Sequence, residues 1–234
     1  MASAATWDQK RETLTTYFDR TAAGAWEALT SDAPVSRIRA TVRAGRETMR
    51  ELILSRLPAD MAGRSLLDAG CGTGALALEA AARWAMVTAI DVSPRMIEIA
   101  RDRAGGAAVT WRVGDMLDAS LGRFDHVVCM DSLIHYRQSD ILTALAGLAA
   151  RTDRSIVFTV APSTPLLSVM HRIGKLFPRA DRAPAIEPVA PARLAAAIAA
   201  DPRLAGWRVA ASERVTSGFY MSQMIELAKM PKGR

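Results

Sequence analysis

A glycine-rich loop carries the clearest chemical signal in the sequence. Gly70, Gly72 and Gly74 alternate with other residues, directly after the apolar run Ser65–Ala69 and before an alanine-rich stretch. Glycine at a strand-to-helix turn lets the backbone approach a ligand closely, because no side chain intervenes. Asp68 precedes them in the pattern D-x-G-x-G-x-G, which differs from the G-x-G-x-x-G of dinucleotide loops. The loop therefore predicts a ligand site that is not a pyrophosphate cradle.

A second acidic residue indicates the class of ligand. Asp91 ends the next apolar run, 23 residues after Asp68, where a carboxylate can accept hydrogen bonds from both ribose hydroxyls. The sequence Gly114-Asp115-Met116 follows the third run, as an acceptor for an adenine amino group beside an apolar wall would. These placements predict nucleotide binding, although Asp68 could instead brace its loop and Met96 could belong to the core.

One histidine follows the fourth apolar run, in the stretch Cys129–Tyr136. A lone histidine is more often structural than functional, but His135 comes just after a strand's carboxyl end, beside the predicted ligand site. It is therefore a candidate catalytic residue.

An α/β fold is needed to bring these residues together. Short apolar runs alternate with helical stretches from Ser65 onward, which predicts a parallel sheet with helices on both faces. The predicted strands are 65–69, 86–91, 108–113, 124–130 and 154–160, with helices at about 74–83, 94–103 and 138–150. A terminal hairpin is predicted from Trp207–Val215, the turn Thr216-Ser217-Gly218 and Phe219–Lys229.

Two additions flank this core. Residues 1–60 predict a helical N-terminal arm or lid ahead of a single domain at 61–234, and within the arm Arg39, Arg43, Arg46 and Arg50 recur at helical spacing. Prolines punctuate the segment at about 162–190, which predicts a cap inserted after the fifth strand. His171, Arg172 and Lys175 lie opposite an apolar stripe within it. Either basic surface could also be an ordinary solvated helix face.

Charge and cysteine usage narrow the choice of partners and compartment. The net charge is +6, and the flanks are basic while residues 65–161 carry 9 basic and 11 acidic groups. This balance suits an anionic substrate or a membrane surface, and no lysine-rich run or basic-aromatic pattern favours nucleic acid.

Cys71 and Cys129 lack metal-ligand spacing, so we expect reduced thiols and no protein-bound metal. No apolar run approaches the ~20 residues of a membrane-spanning helix, so we expect a cytoplasmic protein.

The glycine loop, Asp91 and the Gly114-Asp115-Met116 placement together resemble the Rossmann-like class I methyltransferase family. That resemblance implies a seven-stranded, mostly parallel sheet with an antiparallel last strand, and S-adenosylmethionine as methyl donor, leaving S-adenosylhomocysteine. The implied donor-binding residues are Asp68, Gly70, Cys71, Gly72, Gly74, Asp91, Val92, Met96, Gly114, Asp115, Met116 and Met130. The stretch around His135 lacks the Asn/Asp-Pro-Pro-aromatic motif of amino-group nucleic-acid methylases and the paired glutamates of arginine methylases.

Outer motifs resemble a narrower family, the magnesium-protoporphyrin IX O-methyltransferases. They include Tyr17-Phe18-Asp19, the arginine-striped segment through Arg46, the stretch 131–136, and 161–165 with 174–178. The resemblance implies methylation of one propionate of magnesium-protoporphyrin IX in bacteriochlorophyll synthesis, with magnesium belonging to the substrate. It also implies contact with the porphyrin-binding large subunit of magnesium chelatase, and it places Tyr17 over the pocket. Arg39, Arg43, His171, Arg172 and Lys175 become candidate substrate-binding residues.

The chemistry implied by this resemblance needs little proton transfer. A carboxylic acid of pKa ~4.3 is ionised at neutral pH, so His135 would orient the propionate rather than act as an obligatory base. A quinone or phenol with a pKa of ~10 would make His135 an essential base. A non-catalytic module that binds S-adenosylmethionine and regulates a pathway partner is a further alternative.

Overall fold

The computed structural model describes residues 3–19, 37–163 and 185–231. Its helices are α1 (Ser3–Tyr17), α2 (Arg37–Ser55), α3 (Ala75–Ala82), α4 (Pro94–Arg103), α5 (Gln138–Ala149) and α6 (Pro191–Ala200). Its strands are β1 (Ser65–Ala69), β2 (Met86–Asp91), β3 (Val109–Val113), β4 (Phe124–Cys129), β5 (Thr152–Val160), β6 (Trp207–Ser217) and β7 (Tyr220–Lys229).

The seven strands form one sheet in the order β3-β2-β1-β4-β5-β7-β6. Strands β1 to β5 are parallel, while β7 runs antiparallel to both β5 and β6. The strand order reverses between β1 and β4, and ligands of open α/β sheets bind at such a switch point, outside the carboxyl ends of the strands. The topology therefore directs the candidate residues after β1, β2, β3 and β4 to one edge of the sheet.

Alternating side chains of the strands supply two cores, one on each face. Leu67, Val127 and Phe158 pack on one face with the buried side of α5 and with α6. Leu66, Val128 and Val157 pack on the other face with α2 and α3. Central strands of a parallel sheet are apolar on both sides because helices cover both faces, and this explains why β1 and β4 read as continuous apolar runs.

The described part of the N-terminal arm packs on the core. Trp7 and Leu14 of α1 are buried, and the Trp7 ring stacks on Tyr136 with centroids 4.2 Å apart. The Thr6 hydroxyl donates to Asp140 at the start of α5, at 2.9 Å. Helix α1 thus covers the same edge of the sheet at which the ligand site is predicted.

The predicted fold class is confirmed, including the antiparallel last strand. All seven predicted strands are present with shifts of at most two residues at either end, although Phe219 lies in the hairpin turn and not in β7. Helix α6 is not among the predicted elements. It follows a segment punctuated by prolines, and only two large apolar residues, Leu194 and Ile198, mark its buried face among the alanines. Most of the predicted cap, including His171, Arg172 and Lys175, lies outside the described residues. The division at residue 60 stays a prediction.

Candidate active site

A cavity of about 300 Å³ opens at the carboxyl edge of the sheet, at the switch point between β1 and β4. This volume lies at the lower end of the usual range for small-molecule sites. Its lining comes from the glycine loop, the ends of β2, β3 and β4, and one face each of α1 and α2. The topology thus brings together residues that are up to 129 positions apart, from Trp7 to Tyr136.

The glycine loop has the backbone geometry that its sequence predicts. Gly70, Gly72 and Gly74 have φ values of 83°, 54° and 81°, in the left-handed region that favours glycine. Gly70 and Cys71 donate their backbone N–H groups to the carbonyl of Ile90, at 2.8 and 3.0 Å. These bonds fasten the loop to the end of β2, and Gly70 and Gly72 line the cavity.

Gly74 has a different part in the site. It forms the N-cap of α3, and a Cβ atom there would come within 2.5 Å of the Trp111 ring. It is not among the residues that line the cavity. The position therefore needs glycine for helix packing and backbone conformation, and its predicted contact with the donor stays untested.

Asp68 places a buried carboxylate in the cavity wall. Its side chain is 1% exposed, and its Oδ2 has no hydrogen-bond partner among the described residues. Burial, reinforced by the nearby charge of Asp91, raises the pKa of Asp68 to about 7. Buried polar atoms in native proteins are normally satisfied, so this oxygen is suited to a polar or cationic ligand group.

Asp91 supports the loop as well as facing the cavity. Its Oδ2 accepts from the Gly72 N–H at 2.9 Å, and its Oδ1 accepts from the Ser93 N–H at 3.0 Å. Burial raises the pKa of Asp91, and the two backbone N–H donors oppose that rise. Each carboxylate oxygen has a second lone pair, so these bonds leave acceptor capacity for ribose hydroxyls.

Asp115 connects the predicted adenine position to the N-terminal arm. Its Oδ2 accepts from Trp7 Nε1 at 2.9 Å and from Arg11 Nη1 at 3.0 Å, and its Oδ1 accepts from the Leu117 N–H at 2.8 Å. Met116 lines the cavity beside it. The two contacts from α1 could not be predicted, because no local sequence pattern pairs residues more than 100 positions apart.

Apolar residues complete the part of the cavity around the glycine loop. Val92, Met96, Gly114 and Met130 line it together with Met116 and Ile90. Met96 is 3% exposed and belongs to α4, so it is at once a core residue and part of the cavity wall. Cys71 also lines the cavity, while Cys129 lies buried in the core, and both thiols are free.

His135 lies in the cavity wall after β4, as predicted. Its Nδ1 lies 3.3 Å from the carbonyl oxygen of Ala185, and its ring meets that of Phe18 edge-on, with centroids 6.4 Å apart. Tyr17 packs edge-on against Phe18 at 5.2 Å, and Phe18, not Tyr17, lines the cavity. The arm therefore reaches His135 through Phe18, and the catalytic roles of His135 and Tyr17 stay predictions.

Helix α2 supplies the basic side of the cavity. Arg43, Arg46 and Arg50 line it, at spacings of three and four residues that place them on one helix face. Arg50 pairs with Glu79, and Arg46 pairs with Asp131 in the loop after β4. Arg39 is exposed one turn earlier and is not among the lining residues. The lining near the glycine loop is thus mainly acidic, with Asp68, Asp91 and Asp115, of which Asp115 pairs with Arg11. The α2 side carries the three arginines together with Glu47 and Asp131.

The described residues contain neither a metal-binding cluster nor a helix suited to crossing a membrane. Within 3–19, 37–163 and 185–231, no three His, Cys, Asp or Glu side chains could together hold a metal ion. Among the helices of those ranges, none combines the length and apolar character that crossing a bilayer requires.

Comparison with protein families places this site in context. Residues 129–229 match the model of the magnesium-protoporphyrin IX methyltransferase C-terminus, and residues 66–153 match a methyltransferase domain. The chain is 49% identical to the magnesium-protoporphyrin O-methyltransferase of Rhodobacter capsulatus, over 90% of this chain and 92% of that protein. It is 30% identical to the chloroplastic magnesium protoporphyrin IX methyltransferase of Arabidopsis thaliana, over 94% of this chain and 72% of that protein.

A solved structure gives the same result. The fold superposes on the magnesium protoporphyrin IX methyltransferase from Synechocystis PCC 6803 with bound SAH, with a TM-score of 0.81 and 26% identity. That match covers 94% of this chain and 99% of the other. Both resemblances inferred from the motifs are thereby confirmed, and the chain belongs to the magnesium-protoporphyrin IX methyltransferases, within the S-adenosylmethionine-dependent class I methyltransferase fold.

Proposed function

We propose that the cavity binds S-adenosylmethionine at the glycine loop and one propionate of magnesium-protoporphyrin IX between His135 and the arginines of α2. The reaction itself follows from membership of the family: the chain is an S-adenosylmethionine-dependent O-methyltransferase that forms the monomethyl ester of magnesium-protoporphyrin IX in (bacterio)chlorophyll biosynthesis. What the geometry adds is an assignment of residues to the two substrates.

The residues around the glycine loop suit a cationic nucleoside. The Oδ2 of buried Asp68 has no partner among the described residues and can accept a hydrogen bond from the positively charged part of S-adenosylmethionine. Asp91 can accept hydrogen bonds from the ribose hydroxyls. Val92, Met96 and Met116 offer an apolar wall for a purine. The whole set from Asp68 to Met130 is proposed as donor-binding, with Gly74 acting through the start of α3.

S-adenosylmethionine, when bound, supplies a methyl group, and an O–C bond to the carboxylate forms as the C–S bond breaks with its electron pair left on sulfur. The cation and the anion thereby give a neutral ester and a neutral thioether, and no proton is released. A cavity that excludes water favours such a loss of charge. The residues of this chain therefore need to position the reacting carboxylate and dehydrate it.

His135 and Tyr17 are proposed for this positioning. His135 lies in the cavity wall at the end of β4, where an imidazole can hydrogen-bond a carboxylate oxygen or remove its occasional proton. Tyr17 stands at the end of α1 and packs against Phe18, which lines the cavity. Burial raises the pKa of Tyr17, and its hydroxyl therefore stays a proton donor at neutral pH.

The division of charge in the cavity is the observation that carries this assignment. Asp68 and Asp91 lie beside the place for the donor. The three arginines of α2, with Glu47 and Asp131 among them, lie beside the place for the acceptor. Of the candidate substrate-binding residues, Arg43 lines the cavity and Arg39 lies one turn away. His171, Arg172 and Lys175 lie outside the described residues and remain predictions.

The test is a turnover assay with methyl-labelled donor and magnesium-protoporphyrin IX, comparing wild type with His135→Ala and Tyr17→Phe. We expect His135→Ala to reduce kcat by a factor of ~10²–10⁴ without changing donor affinity. At saturating donor, wild-type kcat should stay nearly flat from pH 6 to 9, because the propionate is already ionised. Full turnover by His135→Ala would remove this histidine from the mechanism, and a steep rise with pH would favour base catalysis on a phenol-like acceptor.

Two contacts with larger partners are also proposed. Contact with the large subunit of magnesium chelatase rests on the family resemblance alone, and co-purification with and without porphyrin would test it. Peripheral contact with an anionic membrane rests on the net charge of +6. Co-sedimentation with vesicles of increasing anionic lipid content would test that contact, and binding that ignored lipid charge would contradict it.

A further inference from the structure

The loop after β4 holds a second buried carboxylate, Asp131, which the reaction as described above does not use. Its side chain is 6% exposed, and its backbone has the left-handed φ of 53°. Non-glycine residues rarely take this conformation, and it persists where the surroundings fix it, often at functional sites. The conformation turns the Asp131 side chain toward β5, β7 and α2, where its partners lie.

Hydrogen bonds from two strands hold this carboxylate in place. The Tyr220 hydroxyl donates to it, lying 3.2 and 3.3 Å from its two oxygens, and the Thr159 hydroxyl donates at 3.2 Å. The Ser222 hydroxyl lies at 3.5 Å, and the Asp131 N–H donates to Thr159 Oγ1 at 2.8 Å. Asp131 is therefore rigidly placed, because its backbone and both its carboxylate oxygens have partners.

Helix α2 approaches this carboxylate closely enough to pair with it. Arg46 Nη1 donates to Asp131 Oδ2, and Arg46 itself lines the cavity. The approach depends on Gly45, since a Cβ atom there would come within 2.5 Å of the Tyr220 ring. Glycine in the middle of a helix costs stability, and here it lets the helix bring Arg46 to the loop that also carries His135.

We propose that Arg46 binds the propionate that accepts the methyl group, and that Asp131 and Tyr220 are positioning residues that hold its guanidinium. The proposal rests on the proposed function and singles out one of the three α2 arginines that the function places near the propionate. A guanidinium presents five N–H donors in a fixed planar fork, which suits one edge to Asp131 and another to a second carboxylate. Buried partners that lock the fork reduce the entropy lost when the substrate binds.

The charge balance of the reaction predicts how Arg46 contributes. As the O–CH₃ bond forms, the propionate loses its negative charge, so its ion pair with Arg46 is stronger in the bound substrate than in the transition state. An interaction of this kind lowers KM and does not raise kcat, because it stabilises the bound substrate more than the transition state. The ester has no charge for Arg46 to bind, so the same residue favours release of the product.

The test compares two porphyrins on the protein loaded with S-adenosylhomocysteine, where no turnover occurs. One is magnesium-protoporphyrin IX, and the other is its dimethyl ester, which has the same ring and no carboxylate. We expect the wild type to prefer the diacid by ~10-fold or more, as a hydrogen-bonded charge pair implies. Arg46→Leu should remove most of that preference, and Arg46→Lys should restore only part of it, because an ammonium lacks the fork.

A matched control is available at the opposite edge of the sheet. Arg123 forms an exposed pair with Asp153 at 2.5 Å, ahead of β4 and far from the cavity lining. Arg123→Leu also deletes one arginine and one ion pair, so it should retain the wild-type preference for the diacid. Equal losses in both variants would overturn the proposal, since net charge alone would then explain them.

The positioning residues are tested by milder changes. Asp131→Asn and Tyr220→Phe keep shape and remove a charge or a hydroxyl, and each should raise KM for the porphyrin several-fold with a smaller change in kcat. A merely structural role would instead lower the melting temperature and weaken binding of S-adenosylhomocysteine and porphyrin together. If Arg46→Leu does not fold, the diacid preference of Tyr220→Phe decides the matter.

Failure of the role of Arg46 can be distinguished from failure of the proposed function. An undiminished preference for the diacid in Arg46→Leu would overturn the role of Arg46 while leaving methyl transfer intact. A wild type that neither binds nor methylates the diacid would instead overturn the proposed function.

Discussion

The affinity of this enzyme for its methyl donor should depend on pH through Asp68. Burial raises the pKa of Asp68 to about 7 in the ligand-free protein, and only its ionised form attracts a cation. The ionised fraction of a group with that pKa rises from about one tenth at pH 6 to about three quarters at pH 7.5, and apparent affinity follows the competent fraction. The donor should therefore bind ~8-fold more tightly at pH 7.5 than at pH 6.

The assay is isothermal calorimetry of S-adenosylmethionine binding between pH 6 and 7.5. The α-ammonium of the ligand, with a pKa of about 7.7–8.0, is still protonated in about two thirds of the molecules at pH 7.5. Its partial loss of charge reduces the expected gain from Asp68 to ~5–6-fold. Asp68→Asn removes the titrating charge and should flatten the profile, whereas Asp102→Asn, at an exposed position of α4, should keep it. Equal affinity at both pH values in the wild type, or an unchanged slope in Asp68→Asn, would refute the assignment of Asp68 to the cationic part of the donor.

The same group should affect stability with a definite sign. Because the folded-state pKa of Asp68 is raised from 3.8 to about 7, the folded protein retains a proton that the unfolded chain has lost. Its contribution to stability is therefore fully present below about pH 4 and is lost as pH rises through about 7. Asp68→Asn should accordingly raise the melting temperature of the ligand-free protein more at pH 8 than at pH 5.

Three further changes test individual contacts. Asp91→Ala should weaken binding of S-adenosylmethionine by about 1.5–3 kcal/mol, as loss of hydrogen bonds to a charged group implies, and calorimetry that showed an unchanged Kd would place the nucleotide elsewhere. Gly74→Ala should lower the free energy of unfolding by about 1–3 kcal/mol, because both its φ of 81° and the Trp111 ring oppose a side chain. Thermal melts should show a smaller loss in Gly63→Ala, which has a φ of 71° but open space around it. Trp7→Phe removes the indole donor to Asp115, so hydrogen exchange in α1 should become faster, and unchanged protection would show that packing alone holds the arm.

The sheet could be predicted from the sequence because its signals are local. Each central strand is a short apolar run bounded by glycine, acid or helix-forming residues, as in 65–69 before Gly70 and 86–91 ending at Asp91. The carboxyl ends of parallel strands meet at one edge, so fixing the strands also fixed the positions of Asp68, Asp91, Asp115 and His135. Eleven of the twelve predicted donor-binding residues line the cavity. The exception is Gly74, which begins α3 and packs against Trp111.

The contacts that complete the site could not be predicted, because they join distant parts of the chain. Arg46 and Asp131 are 85 positions apart, and Trp7 and Asp115 are 108 apart. A stripe of arginines at helical spacing indicates one helix face and leaves open whether that face meets solvent or a cavity. The close packing of α2 against Tyr220, which Gly45 permits, places the arginine face at the cavity and not in solvent.

The position of Asp115 implies that the N-terminal arm and the methyl donor are coupled. Two side chains of α1 donate to Asp115 Oδ2, and Trp7 also stacks on Tyr136 and lines the cavity. Any ligand group that contacts this carboxylate therefore changes the free energy of arm docking, and linkage requires the arm to change ligand affinity by the same factor. The sign of this coupling is given by the donor affinity of Trp7→Phe, a change that weakens docking of the arm without opening a large cavity. Tighter donor binding in that variant would mean that indole and adenine compete for Asp115, while weaker binding would mean that the docked arm forms part of the wall against which the donor packs.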